Sequence, residues 1–215
     1  MALILIVPGL AVRHYAAPAA AALRARGHDA HLLPAPTWHG VPVQLDHYGR
    51  LLGAEIDDGA RDVDLLVGLS VGTQAAAAAA GAGRRIRRLL LISPTVAPEL
   101  RTPTRLAAAW LLRKQKGDPE LSQNLPDWAH SGIPRIVRGL VSATRTPIEA
   151  SLRGFDGPLT IAHPEWDTLG GERYARSLGG RFVQIPRQAH SWPVNDSEAF
   201  ARFVEGLITT EEVPS

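Results

Sequence analysis

Short apolar runs alternate with longer amphipathic stretches along most of this chain of 215 residues. Apolar runs of this length, bounded by Gly, Pro or charged residues, are typical of strands that are buried on both faces of a parallel sheet. The pattern therefore predicts strands at residues 3–7, 30–33, 65–67, 89–92, 159–162 and 181–185.

The stretches between the predicted strands carry apolar residues at the spacing of an amphipathic helix. They predict helices from about residue 14 to Gly27, at 43–60, in the alanine run 75–80, within 168–178 and at 197–207. Strands that alternate with helices form a parallel sheet with helices on both faces. We therefore expect an α/β fold, a three-layer sandwich around a mostly parallel sheet.

The alternation stops after the fourth predicted strand. Residues 95–153 contain no clear strand, whereas residues 105–114 and 134–141 have helical spacing. A connection of about sixty residues is long for a compact domain. We interpret residues 1–94 and 154–215 as the core, and residues 95–153 as a helical lid insertion over the carboxyl ends of the strands. The alternative is an ordinary helical excursion.

A candidate nucleophile follows the third predicted strand. The sequence Gly68-Leu69-Ser70-Val71-Gly72 separates that strand from the alanine helix. A strand, G-x-S-x-G and a helix form the context of a nucleophile elbow, in which a sharp turn lifts the serine hydroxyl clear of the sheet. The alternative is a glycine-rich turn whose serine caps the following helix.

Partners for such a serine follow two later strands. A serine nucleophile needs a histidine base, and the histidine needs a carboxylate that orients it. Asp167 and His190 follow the fifth and sixth predicted strands, and the carboxyl ends of parallel strands meet at one edge of a sheet. Glu165, in the same loop as Asp167, is a rival for the carboxylate role. The order Ser, Asp, His along the chain is that of the α/β-hydrolase triad.

The nucleophile turn and the order of the triad together resemble the α/β-hydrolase-fold superfamily, in particular a small serine esterase or thioesterase with a helical lid. The resemblance covers nearly all of the chain outside residues 95–153. It implies that Ser70 is the nucleophile, Asp167 the acid and His190 the base. It also implies that the backbone N–H groups of Val71 and Leu10 form the oxyanion hole.

The sequence departs from the usual pattern of that superfamily at three points. Pro8 stands where many members have a histidine, and Pro164 stands where a glycine is common before the acid. The two antiparallel strands that usually open the fold have no counterpart, because the first predicted strand leads directly into the oxyanion loop. We therefore expect an α/β-hydrolase fold that lacks its first two strands.

The aromatic residues predict a pocket for an apolar substrate. Walls of ligand pockets are mostly apolar and aromatic, and the 5 tryptophans fall beside the candidate triad, in an edge loop or in the insertion. The alternatives are structural packing for the tryptophans and surface positions for the histidines. The predicted substrate contacts are His14, Trp38, Trp110, Trp128, Trp166 and Trp192.

Basic residues at one end of a predicted lid helix favour an anionic carrier on the substrate. Arg105, Arg113, Lys114 and Lys116 would attract such a carrier, which makes a CoA thioester or an acylated carrier protein a candidate substrate. The alternative is an ordinary solvated helix surface.

Composition excludes several classes of protein. The chain has 23 basic and 21 acidic residues and no basic tract, which excludes a general nucleic-acid surface. It has no cysteine, which excludes disulfides and thiolate chemistry. The histidines are not spaced for a metal site, and no apolar run reaches the length of a membrane span. We expect a cytoplasmic enzyme without metal or cofactor.

These observations predict a serine hydrolase that acts on an ester or thioester of an apolar acyl substrate. Because a fold does not fix its chemistry, acyl transfer or a non-hydrolytic elimination or cyclisation in natural-product biosynthesis is the alternative use of the same triad. A non-catalytic binding protein that retains the fold is the third hypothesis.

Overall fold

The computed structural model describes residues 1–10, 12–112, 125–167 and 169–209, without the side chains at positions 13, 15 and 110–112. The strands are β1 (Leu3–Val7), β2 (Asp29–Leu32), β3 (Leu65–Leu69), β4 (Leu89–Ile92), β5 (Leu159–Pro164) and β6 (Arg181–Ile185). They form a sheet of 6 strands in the order β2-β1-β3-β4-β5-β6. All neighbouring pairs are parallel, which confirms the predicted parallel sheet.

The strand bounds differ slightly from the prediction at three strands. Strand β2 begins one residue earlier than predicted, and β3 and β5 each extend two residues further. The extension of β3 is paired throughout, since Gly68 and Leu69 lie in register with Leu91 and Ile92 of β4. Apolar content alone underestimates such ends, because a glycine in a buried strand still makes its backbone hydrogen bonds.

Helices cover both faces of the sheet. They are α1 (Arg13–Ala25), α2 (Leu45–Asp58), α3 (Gly72–Ala82), α4 (Pro103–Leu112), α5 (Leu125–Ser131), α6 (Ile133–Arg145), α7 (Ile148–Ser151), α8 (Glu172–Ser177), α9 (Trp192–Asn195) and α10 (Ser197–Thr209). Residues of α1 and α10 pack against one face of the sheet. Residues of α2, α3 and α8 pack against the other face, which completes the predicted three layers. No helix in the described part of the chain is long and apolar enough to cross a membrane.

Helix α3 fits tightly between the sheet and α2. Its alanines 75–80 are all buried, and small side chains allow backbones to approach. A Cβ atom added at Gly49 of α2 would lie 2.5 Å from the carbonyl oxygen of Ala75, so the two helices touch along a glycine. This close packing fixes the start of α3, where the candidate nucleophile lies.

Helices α4 to α7 lie within residues 95–153, the segment between β4 and β5. The predicted helices at 105–114 and 134–141 correspond to α4 and α6, although α6 is longer, whereas α5 and α7 were not predicted. Arg113, Lys114 and Lys116 lie outside the described residues. The guanidinium of Arg135 donates hydrogen bonds of 2.7–2.8 Å to the carbonyl oxygens of Thr37, Trp38 and Val41. These bonds tie α6 to the loop after β2, at the carboxyl edge of the sheet.

Candidate active site

Ser70 occupies a strained turn between β3 and α3. Its φ of 52° lies in the left-handed region, which residues with a side chain rarely adopt. Such strain costs about 1–3 kcal/mol and is concentrated at functional sites. The Ser70 N–H donates to the carbonyl oxygen of Ile92 at 2.9 Å, and the Ser70 carbonyl oxygen accepts from the N–H of Thr73 at 2.9 Å. The ends of β4 and α3 therefore hold the turn in place.

The two glycines of the G-x-S-x-G sequence are required by the same turn. A Cβ atom at Gly72 would lie 2.3 Å from the carbonyl oxygen of Pro8, and one at Gly68 would lie 2.7 Å from Cα of Thr73. Neither distance is compatible with a side chain, since non-bonded carbon atoms pack at about 3.5–4.0 Å. The sequence pattern thus has the geometry of a nucleophile elbow.

Ser70, His190 and Asp167 form a continuous chain of hydrogen bonds. Oγ of Ser70 lies 2.8 Å from Nε2 of His190, and Nδ1 of His190 lies 2.9 Å from Oδ2 of Asp167. The loops after β5 and β6 bring the two partners to the elbow, and the backbone N–H of Trp166 donates to the carbonyl oxygen of Gln188 to join these loops. Residues that are 120 positions apart in sequence therefore meet at one strand edge.

The environment of Asp167 keeps its carboxyl group ionised. Burial raises the pKa of Asp167, but attraction to the protonated form of His190 and the hydrogen bonds from His190 and the Leu169 N–H outweigh burial and hold the pKa well below its ordinary value of 3.8. A carboxylate only accepts hydrogen bonds. Nδ1 of neutral His190 therefore carries the ring proton, and Nε2 is left to accept the proton of Ser70.

The rival carboxylate, Glu165, has a different partner. Its Oε2 accepts the backbone N–H of Arg187 at 2.6 Å, at an exposed position. Asp167, and not Glu165, is therefore the carboxylate that contacts His190.

The two predicted oxyanion residues lie beside the nucleophile. Leu10 and Val71 line the same cavity as Ser70. A Cβ atom at Gly9 would lie 3.4 Å from Cβ of Ser70, so the loop after β1 passes directly over the elbow. Helix α6 presses on this loop in turn, because a Cβ atom at Gly139 would lie 2.5 Å from Cδ1 of Leu10.

A largely apolar cavity of about 110 Å³ opens at the hydroxyl of Ser70. The core supplies one side, and helices α4, α5 and α6 of the insertion supply Leu106, Trp128, Ile136 and Leu140. The other described lining residues are Gly9, Leu10, Val12, Ala16, Leu69, Ser70, Val71, Ile92, Thr95, Leu169, His190, Ser191, Pro193 and Val194. An acyl group placed here would contact hydrocarbon on most sides.

Of the predicted substrate contacts, Trp128 lines this cavity. The structure corrects the prediction for Trp192, whose ring is 2% exposed in the core and packs on Phe200 and Phe203 at centroid distances of 6.0 and 5.5 Å. Although Trp192 follows the candidate base closely in sequence, it begins α9, which directs its ring towards α10. The side chain of Trp110 lies outside the described residues.

The remaining predicted contacts lie away from the cavity walls that the described residues form. The ring of His14 is exposed and pairs with the buried carboxylate of Asp127 on α5. The Trp38 ring packs between those of His14 and His130, at 5.6 and 4.2 Å. Trp166 is half-buried in the acid loop. His14 and Trp38 therefore join the insertion to the core, which agrees with the alternative of structural packing.

Two residues that the sequence analysis did not single out belong to the site. The Ser93 hydroxyl donates to the carbonyl oxygen of His190 at 3.3 Å and also stabilises the Asp167 carboxylate. Thr95 lines the cavity. Their signal in the sequence is the polar Ser-Pro-Thr that follows β4, the strand next to the nucleophile strand.

Within the described ranges, no group of three or more His, Asp or Glu side chains is placed to hold a metal ion.

The fold is similar to those of solved α/β enzymes. A hydrolase from Pseudomonas aeruginosa has a TM-score of 0.73 and 16% identity, with 97% of this chain and 90% of that chain covered. The enol-lactonase from Burkholderia xenovorans has a TM-score of 0.75 and 18% identity, with 97% and 92% covered. MenH from S. aureus has a TM-score of 0.74 and 14% identity, with 96% and 93% covered.

Sequence comparisons add no closer relative. No protein-family model matches the chain, and no curated protein matches it. At 14–18% identity the likeness to the solved structures concerns the fold alone. A fourth solved structure, MGS-MChE2 from a lagoon-sediment metagenome, is described as an alpha/beta hydrolase enzyme and has a TM-score of 0.71 at 15% identity, with 96% of this chain and 90% of that chain covered. The chain thus has the α/β-hydrolase fold.

Proposed function

We propose that this protein is a serine hydrolase that cleaves an ester or thioester of an apolar acyl substrate through an acyl-enzyme. The observation that carries the proposal is the hydrogen-bonded chain from Ser70 through His190 to Asp167 at the floor of an apolar cavity. The strained backbone of Ser70 supports it, because strain of this kind is retained where it serves a function.

In the proposed reaction Ser70 is the nucleophile. Its Oγ attacks the acyl carbon while Nε2 of His190 takes the hydroxyl proton, and Nε2 then gives that proton to the departing alcohol or thiol. The bond between the acyl carbon and the leaving oxygen or sulfur breaks, which leaves the acyl group on Ser70. A water molecule that gives its proton to His190 attacks this ester, and Ser70 regains its proton as the acid leaves.

Asp167 supports both steps without changing its own protonation. As a buried carboxylate with a depressed pKa, it holds Nδ1–H of His190 and stabilises the imidazolium that forms when Nε2 takes a proton. The backbone N–H groups of Val71 and Leu10 are the proposed oxyanion donors. Removal of one such donor in a serine hydrolase costs about 10²–10³-fold in turnover.

Residues 95–153 act in this proposal as a lid that shapes the acyl pocket. Leu106, Ile136 and Leu140 project from its helices into the cavity, so the acyl group is held between the insertion and the core. Burial of apolar surface contributes about 25 cal/mol per Å², which favours hydrocarbon acyl groups over charged ones. Thioesters of CoA or of a carrier protein remain candidate substrates, because the leaving group can stay outside the apolar cavity.

The test is turnover of a series of 4-nitrophenyl esters and acyl-CoA thioesters from two to eight carbons, in water enriched in ¹⁸O. Hydrolysis incorporates one heavy oxygen into the released acid. Wild type is expected to release labelled acid, and Ser70→Ala to release it about 10⁶-fold more slowly. Unchanged turnover by Ser70→Ala contradicts the proposal. A product that lacks the heavy oxygen and has gained another acceptor, or an isomeric product, identifies acyl transfer or elimination instead.

A further inference from the structure

Ser93 has a strained backbone at the end of β4, the strand beside the nucleophile strand. Its φ of 53° lies in the left-handed region, which it shares with Ser70 (φ 52°) and the exposed Arg187 (φ 55°) among the described residues that have a side chain. A glycine would adopt this conformation without strain, and strained residues of this kind cluster at functional sites. A serine at this position therefore points to a role for its side chain.

The hydroxyl group of Ser93 holds the main chain of the candidate base. Ser93 is 1% exposed, and its Oγ donates to the carbonyl oxygen of His190 at 3.3 Å. Asp167 and Ser70, in contrast, contact the ring of His190. The bond from Ser93 thus fixes the backbone from which that ring projects.

The end of β4 also contacts the elements that lead to the nucleophile and to the acid. The carbonyl oxygen of Ile92 accepts the N–H of Ser70 at 2.9 Å. The N–H of Ser93 donates to the carbonyl oxygen of Ala162 at 3.0 Å, and Ala162 belongs to β5, the strand before Asp167. These backbone bonds fix Ser93 relative to the nucleophile turn and to the strand before the acid.

The order of the strands leaves the nucleophile and the base on separate elements. Strand β3 ends at the nucleophile turn and β6 precedes the base loop, and β4 and β5 lie between them in the sheet. Neighbouring strands are about 4.8 Å apart, so β3 and β6 are too distant to pair with each other. The end of β4 spans this gap, because Ile92 contacts the nucleophile turn and Ser93 contacts the base loop.

We propose that Ser93 is a positioning residue whose hydroxyl group holds the backbone of His190 so that Nε2 stays within reach of Oγ of Ser70. This inference rests on the proposed hydrolase function and adds a residue to its machinery. A misplacement of about 1 Å in an active site can cost about 10²-fold in rate. The described residues that line the cavity do not include Ser93, so its effect falls on the chemical step and not on binding of the acyl group.

The experiment compares wild type with Ser93→Ala, Ser93→Gly and Arg187→Gly. Both changes at Ser93 remove the hydroxyl group, but Ser93→Ala keeps a Cβ atom on the strained backbone and Ser93→Gly relieves the strain. Arg187→Gly is the matched control, because it relieves the same kind of strain at an exposed position of the base loop. The measurements are kcat and KM for 4-nitrophenyl butanoate, the rate of labelling by a small fluorophosphonate, and urea unfolding.

Both Ser93 variants are expected to lose about ten- to a hundredfold in kcat and in kcat/KM, with KM unchanged, because the lost interaction acts on the transition state. Labelling is expected to slow by a similar factor, since it requires an activated Ser70 but no acyl chain in the cavity. Ser93→Gly is expected to unfold at a higher urea concentration than Ser93→Ala and to be equally impaired in kcat. Arg187→Gly is expected to keep the wild-type kcat.

Three results overturn the inference. The first is a wild-type kcat and labelling rate in both Ser93 variants. The second is full activity in Ser93→Gly with a loss in Ser93→Ala alone, because activity then follows the stability of the turn and not the hydroxyl group. The third is an equal loss of kcat in Arg187→Gly, because a relaxed loop backbone would then explain the effect.

Labelling of wild type separates this inference from the proposed function. A wild type that is labelled at Ser70 and hydrolyses the ester, with Ser93 variants that are equally active, contradicts the positioning role alone. A folded wild type that is neither labelled nor active on any ester contradicts both.

Discussion

The Asp167 carboxylate lies 2.9 Å from Nδ1 of His190, on the side of the ring opposite the contact with Ser70. Because the pKa of this buried carboxyl group is depressed, the contact selects the tautomer that leaves Nε2 free to accept a proton. The first prediction concerns this relationship. Asp167→Asn is expected to lower kcat about 10⁴-fold, the loss seen when a triad carboxylate is replaced by its amide, with little change in the thermal midpoint Tm.

Glu165→Gln is the matched control, since Glu165 lies in the same loop and contacts the backbone of Arg187. It is expected to retain kcat within about twofold, because surface substitutions away from special features have small effects. A large loss for Glu165→Gln together with a small loss for Asp167→Asn would reverse the assignment of the acid.

The second prediction concerns the wall that the insertion contributes to the cavity. Leu140 of α6 lines the cavity, whereas Val137 on the same helix is 52% exposed. Leu140→Trp fills acyl space, so kcat/KM is expected to fall about tenfold for an octanoyl ester and much less for an acetyl ester. One lost methylene contact is worth about 10–200-fold in discrimination, which makes the effect measurable.

Val137→Trp adds the same bulk on the outer face of α6 and is expected to leave the chain-length profile unchanged. If both tryptophan variants shift the profile equally, the acyl group does not occupy this cavity.

The third prediction tests the close approach behind the nucleophile. A Cβ atom at Gly72 overlaps the carbonyl oxygens of Pro8 and Val7, at 2.3 and 2.4 Å, so Gly72→Ala is expected to lower the free energy of unfolding by about 1–3 kcal/mol. A Cβ atom at Gly206 of α10 meets no atom within 4 Å. Gly206→Ala is expected to raise stability by about 0.5–1 kcal/mol, because alanine favours a helix interior.

Urea unfolding of both alanine variants measures these changes. A gain in stability for both variants would show that helix propensity, and not the approach of the backbone, decides the outcome at Gly72.

The sequence predicts the meeting of Ser70, Asp167 and His190 because each residue lies in the loop or turn that follows an apolar strand. Parallel strands have their carboxyl ends at one edge of the sheet. Three residues that are distant in sequence therefore become neighbours once the strands are parallel. The parallel sheet itself follows from the alternation of strands and helices.

The direction of individual side chains could not be predicted in the same way. Trp192 and Trp128 are equally apolar, yet the first packs in the core and the second lines the cavity, because the turn of a short helix decides where each ring points. Thr95 was missed for a related reason. Its position in the cavity wall depends on the register of β3 against β4, which places the end of β4 beside Ser70, and composition carries no information on register.

The fourth prediction concerns the pH dependence of stability, to which the buried ring of His163 contributes. His163 lies near the end of β5, and its Nδ1 has no hydrogen-bond partner among the described residues. Burial lowers its pKa from the ordinary value of 6.5, and the charges of His190 and Arg176 act in the same direction, while Asp167 and Glu172 oppose them. The unfolded chain therefore binds a proton at this residue more readily than the fold does. The contribution of neutral His163 to the free energy of unfolding is complete above about pH 6.5. It is lost as the pH falls from there to the pKa that His163 has in the folded protein.

His163→Gln removes this titration. Its free energy of unfolding is expected to fall less between pH 7.5 and pH 5 than that of wild type, as measured by urea unfolding at each pH. A slope for His163→Gln that is equal to or steeper than the wild-type slope contradicts the burial argument.

The most direct test of the central claim is intact-mass measurement after treatment with a small fluorophosphonate. Wild type is expected to gain one adduct, because a serine is reactive towards this reagent only when a base activates it. Ser177→Ala, at an exposed serine of α8, is expected to gain the same adduct, whereas Ser70→Ala and His190→Ala are expected to gain none. Absence of an adduct on folded wild type, or an adduct that persists on Ser70→Ala, contradicts the assignment of Ser70 as an activated nucleophile.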